Sequence, residues 1–294
     1  MKNKKKLAWG QIILHVVFIT MITCYIVPFI LCISISFSDE SSLVREGYSL
    51  IPKVFSTDAY KMVFNNPRQL LQSYGVTILF TFAATVLAVL TMALLAYPLS
   101  RPNYKFKGVL SFFVFFTMLF SGGMVPSYLL IVRYLHLNDS ILVYILPGLV
   151  SAYSVMIIRT NYRCIPNELI EAAKVDGAKE LFIFFRIIMP LSKPVLASIG
   201  FLFLVNKWND WMTSMLYIRN PRLYSLQYLL QRILNEAEYL RQLADTGLLM
   251  GGEVFPTESF RYAMALVATG PVLIIFPFFQ KYFAKGMTLG GVKG

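Results

Sequence analysis

Charge is scarce in this sequence. Asp, Glu, Lys and Arg make up 14% of its 294 residues, whereas 57% are hydrophobic; a soluble domain carries roughly a quarter charged residues. A chain so composed cannot cover a large core with a polar surface, which excludes an ordinary water-soluble globular protein. Histidine is scarcer still, with only His15 and His136. Without convergent His, Asp or Glu groups in the apolar stretches, neither a metal centre nor acid–base catalysis inside a membrane is supported. The three cysteines are an odd number with no metal or disulfide spacing. Cys24 and Cys32 share one apolar run, where eight helical residues separate them by about 12 Å, too far to bridge. With Cys164 they read as small packing residues. No Gly-x-x-x-x-Gly-Lys-[Ser/Thr] loop is present, so the chain lacks the backbone cradle that holds nucleotide phosphates. The net charge of +12 invites a nucleic-acid reading, but the basic residues lie in short clusters between apolar runs and no DNA- or RNA-binding motif accompanies them.

What is abundant is long apolar sequence. About 20 apolar residues cross a bilayer as a helix. Charge-free runs that reach or approach this length cover 12–37, 74–100, 109–132, 141–158 and 262–280. A sixth, 195–218, is long enough but carries Lys207 and Asp210 near its middle. Such runs are too continuous for barrel strands, and in lipid the backbone must satisfy its own hydrogen bonds, so all six are expected to be helices. The fold class is therefore all-α: one polytopic membrane domain over 1–294 with six transmembrane helices. Four lysines precede the first run, as in a signal peptide. That run is far longer than a 7–15-residue signal core and no small-x-small cleavage site follows it, so it is expected to remain as a span.

Orientation follows from the basic residues. With the N-terminus inside, the inner segments carry 16 Lys and Arg against four acidic residues, and the outer segments carry ten of each. The whole positive excess falls on one side, which places both termini of a multi-pass membrane protein in the cytoplasm. Of the two long outer segments, 38–73 and 219–259, the second has Leu and Ile at helical spacing over 224–240, which predicts a surface helix.

The loop 164–194, between the fourth and fifth runs, reads Asn167-Glu-Leu-Ile-Glu-Ala-Ala-Lys-Val-Asp-Gly-Ala178 and continues to Ile187-Ile-Met-Pro190. Pro166 suits the first turn of a helix, and Glu168 and Glu171 suit its positive end. Ala172 and Ala173 leave a smooth surface. Gly177 permits the turn that separates this helix from a second one over 178–188. Glu171-Ala-Ala, Gly177, Ile187 and Pro190 together resemble the EAA loop of bacterial ABC importer permeases; the family commonly has Leu before the final Pro, where this chain has Met189. Ser121-Gly-Gly-Met-Val-Pro-Ser-Tyr-Leu-Leu130, Ile145-Leu-Pro-Gly148, Trp208-Asn-Asp-Trp211 and the tail Lys285-Gly-Met-Thr-Leu-Gly-Gly-Val-Lys-Gly294 are similar to the carbohydrate branch of that family, above all to permeases for complex oligosaccharides and polysaccharides.

The resemblance implies a role and a set of partners. Glu171, Ala172, Ala173, Asp176, Gly177 and Pro190 would dock on and couple to a cytoplasmic ATPase dimer, which binds the ATP and Mg; the chain itself holds no cofactor. Val292, Lys293 and Gly294 would reach the same ATPase. A second homologous permease, a lipid-anchored extracytoplasmic solute-binding protein and an oligosaccharide would complete the system. Importers of amino acids or peptides share the loop. An ATPase-independent secondary transporter would show two related halves, which this sequence lacks.

Polar groups inside a membrane helix usually face a bundle interior or an aqueous pathway. Asn206, Asp210, Thr213 and Tyr217 recur at i, i+4, i+7 and i+11, an expected stripe of amide, carboxylate and hydroxyl groups beside aromatic rings that would suit a sugar. Lys207 and Asp210, three apart, are placed to pair with each other. Met124 and Tyr128, beside the glycines and proline of 121–126, form a second candidate stretch of pathway. Bracing against the third helix or the second permease is the structural alternative for the 206–217 residues, and a plain packing kink that for Met124 and Tyr128.

Overall fold

The computed structural model describes residues 9–246 and 257–286. Apart from one isolated bridge between Ser38 and Phe55, the described residues form helices and the turns between them. In chain order the helices are α1 (Trp9–Ser36), α2 (Glu40–Glu46), α3 (Asp58–Val63), α4 (Pro67–Ser100), α5 (Lys107–Leu119), α6 (Met124–Leu129), α7 (Leu142–Ile145), α8 (Ala152–Arg163), α9 (Asn167–Val175), α10 (Glu180–Ile183), α11 (Met189–Leu191), α12 (Lys193–Trp208), α13 (Met212–Tyr217), α14 (Leu226–Asp245) and α15 (Glu258–Gly286). Short π-helical turns extend α6 over Leu130–Tyr134 and α10 over Phe184–Ile188. The helix expected within the 219–259 segment is present as α14.

Three helical stretches are long and apolar enough to cross a membrane: Gly10–Ser36, Pro67–Ser100 and Glu258–Gln280. Two more apolar runs are bent pairs, Lys107–Leu119 with Met124–Tyr134 at 114° and Glu180–Leu191 with Lys193–Trp208 at 80°. Continuous helices over 109–132, 141–158 and 195–218 are thus not what the chain forms. The first breaks at residues 120–123, where Gly123 takes φ +84°. The second breaks at Pro147, which has no N–H to continue a helix, and at Gly148 with φ +78°. The third ends at Trp208 and restarts at Met212.

The chain divides into two compact units. The first takes residues up to Pro67 together with Leu230–Gly270. Most of α1 is exposed, including Ile13, Phe18, Ile19 and Phe29, as befits a helix whose solvent is lipid. Below it a single carboxylate organises the polar end of the unit. Glu40, only 5% exposed, accepts hydrogen bonds from the Glu258 amide (2.9 Å), the Ser259 amide (3.0 Å), the Ser259 hydroxyl (2.9 Å) and the Thr257 hydroxyl (3.3 Å). These amides open α15, where helical N–H groups have no partner of their own and the helix dipole favours negative charge. Arg241 donates to the Thr257 hydroxyl at 2.6 Å.

The second unit runs over Arg68–Leu229 and from Pro271 onward and has two cores. One gathers Phe80, Ala84, Ile131, Tyr144, Tyr217 and Tyr224; Phe80 and Tyr144 stack at 4.3 Å. The other gathers Ala93, Ala96, Tyr97, Ile158, Tyr162, Ile170, Ile183, Phe184 and Ile188. It therefore joins α4 and α8 to α9 and α10. Small residues draw α4 and α12 together: a Cβ at Gly200 would lie 3.2 Å from Val89, the close backbone approach on which helix packing in lipid depends.

Replacing Glu40 by Ala strands the amide donors that open α15 and should cost about 1–3 kcal/mol. A lowered Tm of the detergent-extracted protein, with a smaller loss for Glu40→Gln, checks this; an unchanged Tm in both would contradict it.

Candidate functional site

Two regions of the second unit carry the residues singled out in the sequence. The first is the segment from α9 to α11. Pro166 stands one residue before α9, at its N-cap rather than in its first turn. The helix ends on Asp176, whose amide bonds to the Ala172 carbonyl (3.1 Å). Gly177 then turns left-handed at φ +80°. Its amide donates to the Lys174 carbonyl (3.0 Å), and the Ala178 amide to the Ala173 carbonyl (2.9 Å). This paired closure satisfies the last carbonyls of α9 and needs a residue free of the Cβ penalty, about 1–2 kcal/mol, of a left-handed backbone. A Cβ at Gly177 would meet nothing within 4 Å, so the constraint there is conformational and not one of space. The chain resumes in α10, and Pro190 sits in α11 just before the 80° bend into α12.

The buried side of this segment is Ile170, Ile183, Phe184 and Ile188. Its other side is exposed. Glu171, Ala172, Asp176, Gly177 and Pro190 are open to solvent, and Ala173 is half-buried. Between them lie apolar side chains that the sequence reading passed over: Val175 at 87% exposure, with Leu181, Phe182, Leu169 and Phe185 also exposed. Their signal was available, since Val175 is a hydrophobic residue among Lys174, Asp176 and Lys179. Val292, Lys293 and Gly294 lie outside the described residues.

The second region is the break between α12 and α13. Lys207 and Asp210 do not pair. The Lys207 ammonium donates to the Tyr144 carbonyl (2.8 Å) and the Pro147 carbonyl (3.4 Å), groups left without helical partners where α7 stops. Asp210 accepts from the Thr213 amide (3.0 Å) and hydroxyl (2.7 Å), closing the first turn of α13. The Asp210 carbonyl in turn accepts from the Ser225 hydroxyl at 3.0 Å. Tyr217 is buried and stacks on half-buried Tyr128 at 5.7 Å. Asn206 and Met124 are exposed, and Asn206 also donates to the Leu202 carbonyl.

The expected stripe of Asn206, Asp210, Thr213 and Tyr217 is therefore not one open face. A 3.6-residue period holds only while the helix does, and this helix ends at Trp208. Around the break Asn206 and Asn209 are exposed, Trp211 is 39% exposed, and half-buried Gln227 donates to the Asn209 amide oxygen at 3.2 Å. Asn209 and Trp211 stood in the quoted Trp-Asn-Asp-Trp segment. Gln227 is 18 residues further on, and only the fold brings it there.

Lys207→Met leaves two part-buried carbonyls without their donor and should cost about 1–3 kcal/mol in thermal stability. Asp210→Leu removes a separate set of bonds. The double variant should therefore show both losses; recovery in the double variant would instead demonstrate an ion pair between Lys207 and Asp210.

The family described as "Binding-protein-dependent transport system inner membrane component" matches residues 90–289, a span that contains both regions. Protein LplC of Bacillus subtilis (strain 168) is 40% identical over 270 residues, 92% of this chain and 90% of that protein. The polygalacturonan/rhamnogalacturonan transport system permease protein YtcP of the same organism is 38% identical over 269 residues, 92% and 93% of the two chains. Among solved structures, a chain of a bacterial ABC transporter involved in the import of the acidic polysaccharide alginate superposes with a TM-score of 0.77 at 28% identity, covering 96% of this chain and 99% of its own. With apolar helices fit to span a membrane, and the Glu171-Ala-Ala to Gly177 motif inside the matched region, this chain belongs to the binding-protein-dependent transport system inner membrane components, the permease subunits of ABC importers.

Proposed function

We propose that the chain forms half of the translocation pathway of an ATP-driven importer of oligosaccharides and that the α9–α11 segment is where a separate ATPase docks. The observation that carries the docking assignment is the exposed apolar set Val175, Leu181 and Phe182 on a segment rich in charge. Three exposed apolar side chains within eight residues of a charged segment fit a surface that another protein covers. Glu171, Ala172, Ala173, Asp176, Gly177 and Pro190 frame it. ATP and Mg belong to the ATPase dimer.

A second, homologous permease would supply the other half of the pathway, and a lipid-anchored solute-binding protein would deliver the sugar from outside. On this reading α1, α4, the pairs α5–α6, α7–α8 and α12–α13, and α15 make six crossings of one membrane domain, with both termini cytoplasmic. Three features support a saccharide: the polysaccharide systems of the relatives, the neutral amides of Asn206, Asn209 and Gln227, and the Trp211 ring. Amides exchange hydrogen bonds with hydroxyls, and an indole face packs on sugar C–H groups.

Val175→Asp sets a carboxylate where the ATPase would cover it. An unpaired buried charge costs several kcal/mol, and about 3 kcal/mol weakens an interface roughly 100-fold. The variant should lose the co-purifying ATPase while retaining the second permease; retention of the ATPase would remove the docking assignment. The orientation has its own check. In intact cells an impermeant thiol reagent should modify Ser56→Cys, and should reach Lys179→Cys only after lysis. Labelling of Lys179→Cys from outside would overturn the topology.

A further inference from the structure

One carboxylate in the docking segment touches both of the helices that flank it. Glu180, the first residue of α10, receives the Lys174 ammonium from the last turn of α9 at 2.6 Å. Its other oxygen accepts the Tyr97 hydroxyl from the end of α4 at 2.5 Å. Bonds from Lys174 and then Tyr97 hold the Glu180 carboxyl below the usual carboxylate range. Tyr97 is itself fixed: it is 8% exposed, packs on Phe184 at 5.4 Å, and carries the Arg101 guanidinium 4.8 Å above its ring. The Arg101 Nε and Nη2 atoms are buried without hydrogen-bond partners, and the Arg101 charge also acts on the Glu180 carboxyl.

The apolar packing of Ile170, Ile183 and Phe184 is non-directional and tolerates sliding. The bonds through Glu180 do not, because hydrogen bonds weaken steeply when bent. The residues beside this junction are the exposed ones: Val175 follows Lys174, and Leu181 follows Glu180. Twenty residues back along α4 from Tyr97, about 30 Å at 1.5 Å per residue, the Thr77 hydroxyl accepts the first amide of α14, that of Leu226, at 2.8 Å.

Resting on the docking assignment above, we propose that Glu180 is a positioning residue that latches the α9–α10 segment to Tyr97, so that displacement of the segment by the ATPase is delivered to α4 and along it to the opposite end of the helix. The exposed Lys174–Glu180 pair alone would be a weak link. The buried Tyr97 ring makes it a directional one.

The test uses the assembled complex of both permeases and the ATPase in nanodiscs, with Cys24, Cys32 and Cys164 replaced by Ala and a single reporter, Leu71→Cys, on an exposed position in the first turns of α4. Trapping the ATPase with ATP and vanadate should change the rate of maleimide labelling at the reporter several-fold. Tyr97→Phe keeps the ring and its contacts with Phe184 and Arg101, and removes only the hydroxyl. It should abolish the change while the complex still traps nucleotide with its ATPase bound. Glu180→Ala should behave alike, and the double variant should be no worse than either single one. An unaltered labelling change in Tyr97→Phe, or no change in the parent complex, would overturn the latch. Loss of the change only in proportion to lost ATPase would assign the residues a structural role and overturn it too. The Val175→Asp variant separates the two ideas: ATPase retained there defeats the docking assignment, whereas ATPase lost there with normal signalling in Tyr97→Phe defeats the latch alone.

Discussion

Every break in a helix leaves backbone groups without partners, and in or near lipid those groups have no water to turn to. Much of the polar chemistry of this chain answers that constraint. Lys207 serves the carbonyls released where α7 stops, Asp210 the first turn of α13, Thr77 the first amide of α14, and Glu40 the amides that open α15. Asp139 does the same in a turn, accepting from the Arg219 and Asn220 amides, and these bonds hold its carboxyl below the usual carboxylate range. The kinked architecture and its charged residues are therefore one feature.

The same constraint explains which parts of the molecule could be read in advance. Apolar runs and the Gly177 turn are local properties, visible in residues adjacent along the chain, and they led directly to the helices and to the loop. The pairing expected of Lys207 with Asp210 rested on an unbroken helix, and the chain breaks between Trp208 and Met212. Once it does, Lys207 is nearer to the carbonyls of 144 and 147 than any sequence pattern could indicate, because those partners are about 60 residues away. Gln227 beside Asn209 is a second case of the same kind. Pro147 and Gly148 did announce the interruption of 141–158, but an apolar run that flanks them on both sides outweighed the two breakers.

The α9–α11 segment is held by two kinds of interaction. Burial of Ile170, Ile183, Phe184 and Ile188 supplies cohesion to α4 and α8 without fixing an angle. Gly177 fixes the turn between α9 and α10, and the Glu180 bonds fix the orientation of both relative to Tyr97. A segment held by packing alone would absorb a push by sliding, and one held by exposed ion pairs alone would be screened by salt. Anchoring a half-exposed carboxylate on a buried phenol avoids both weaknesses.

The exposed hydrophobic residues of α1 and those of the α9–α11 segment ask for two different solvents. On α1 they run the length of the helix, from Ile12 to Ile33, in a stretch without a single charged side chain; hydrocarbon satisfies them and no protein partner need be invoked. On the α9–α11 segment Val175, Leu181 and Phe182 are as exposed, yet Lys174, Asp176, Lys179 and Glu180 lie directly beside them. Charges at that density cannot enter hydrocarbon, so the apolar side chains among them face water unless another protein covers them. Leaving three such side chains in water forfeits about 1.5–3 kcal/mol each relative to full burial. A partner that covers them recovers that energy, and it must present an apolar cleft with a polar rim. The neighbouring charges thus argue for a protein, and not the bilayer, as the surface that this segment meets.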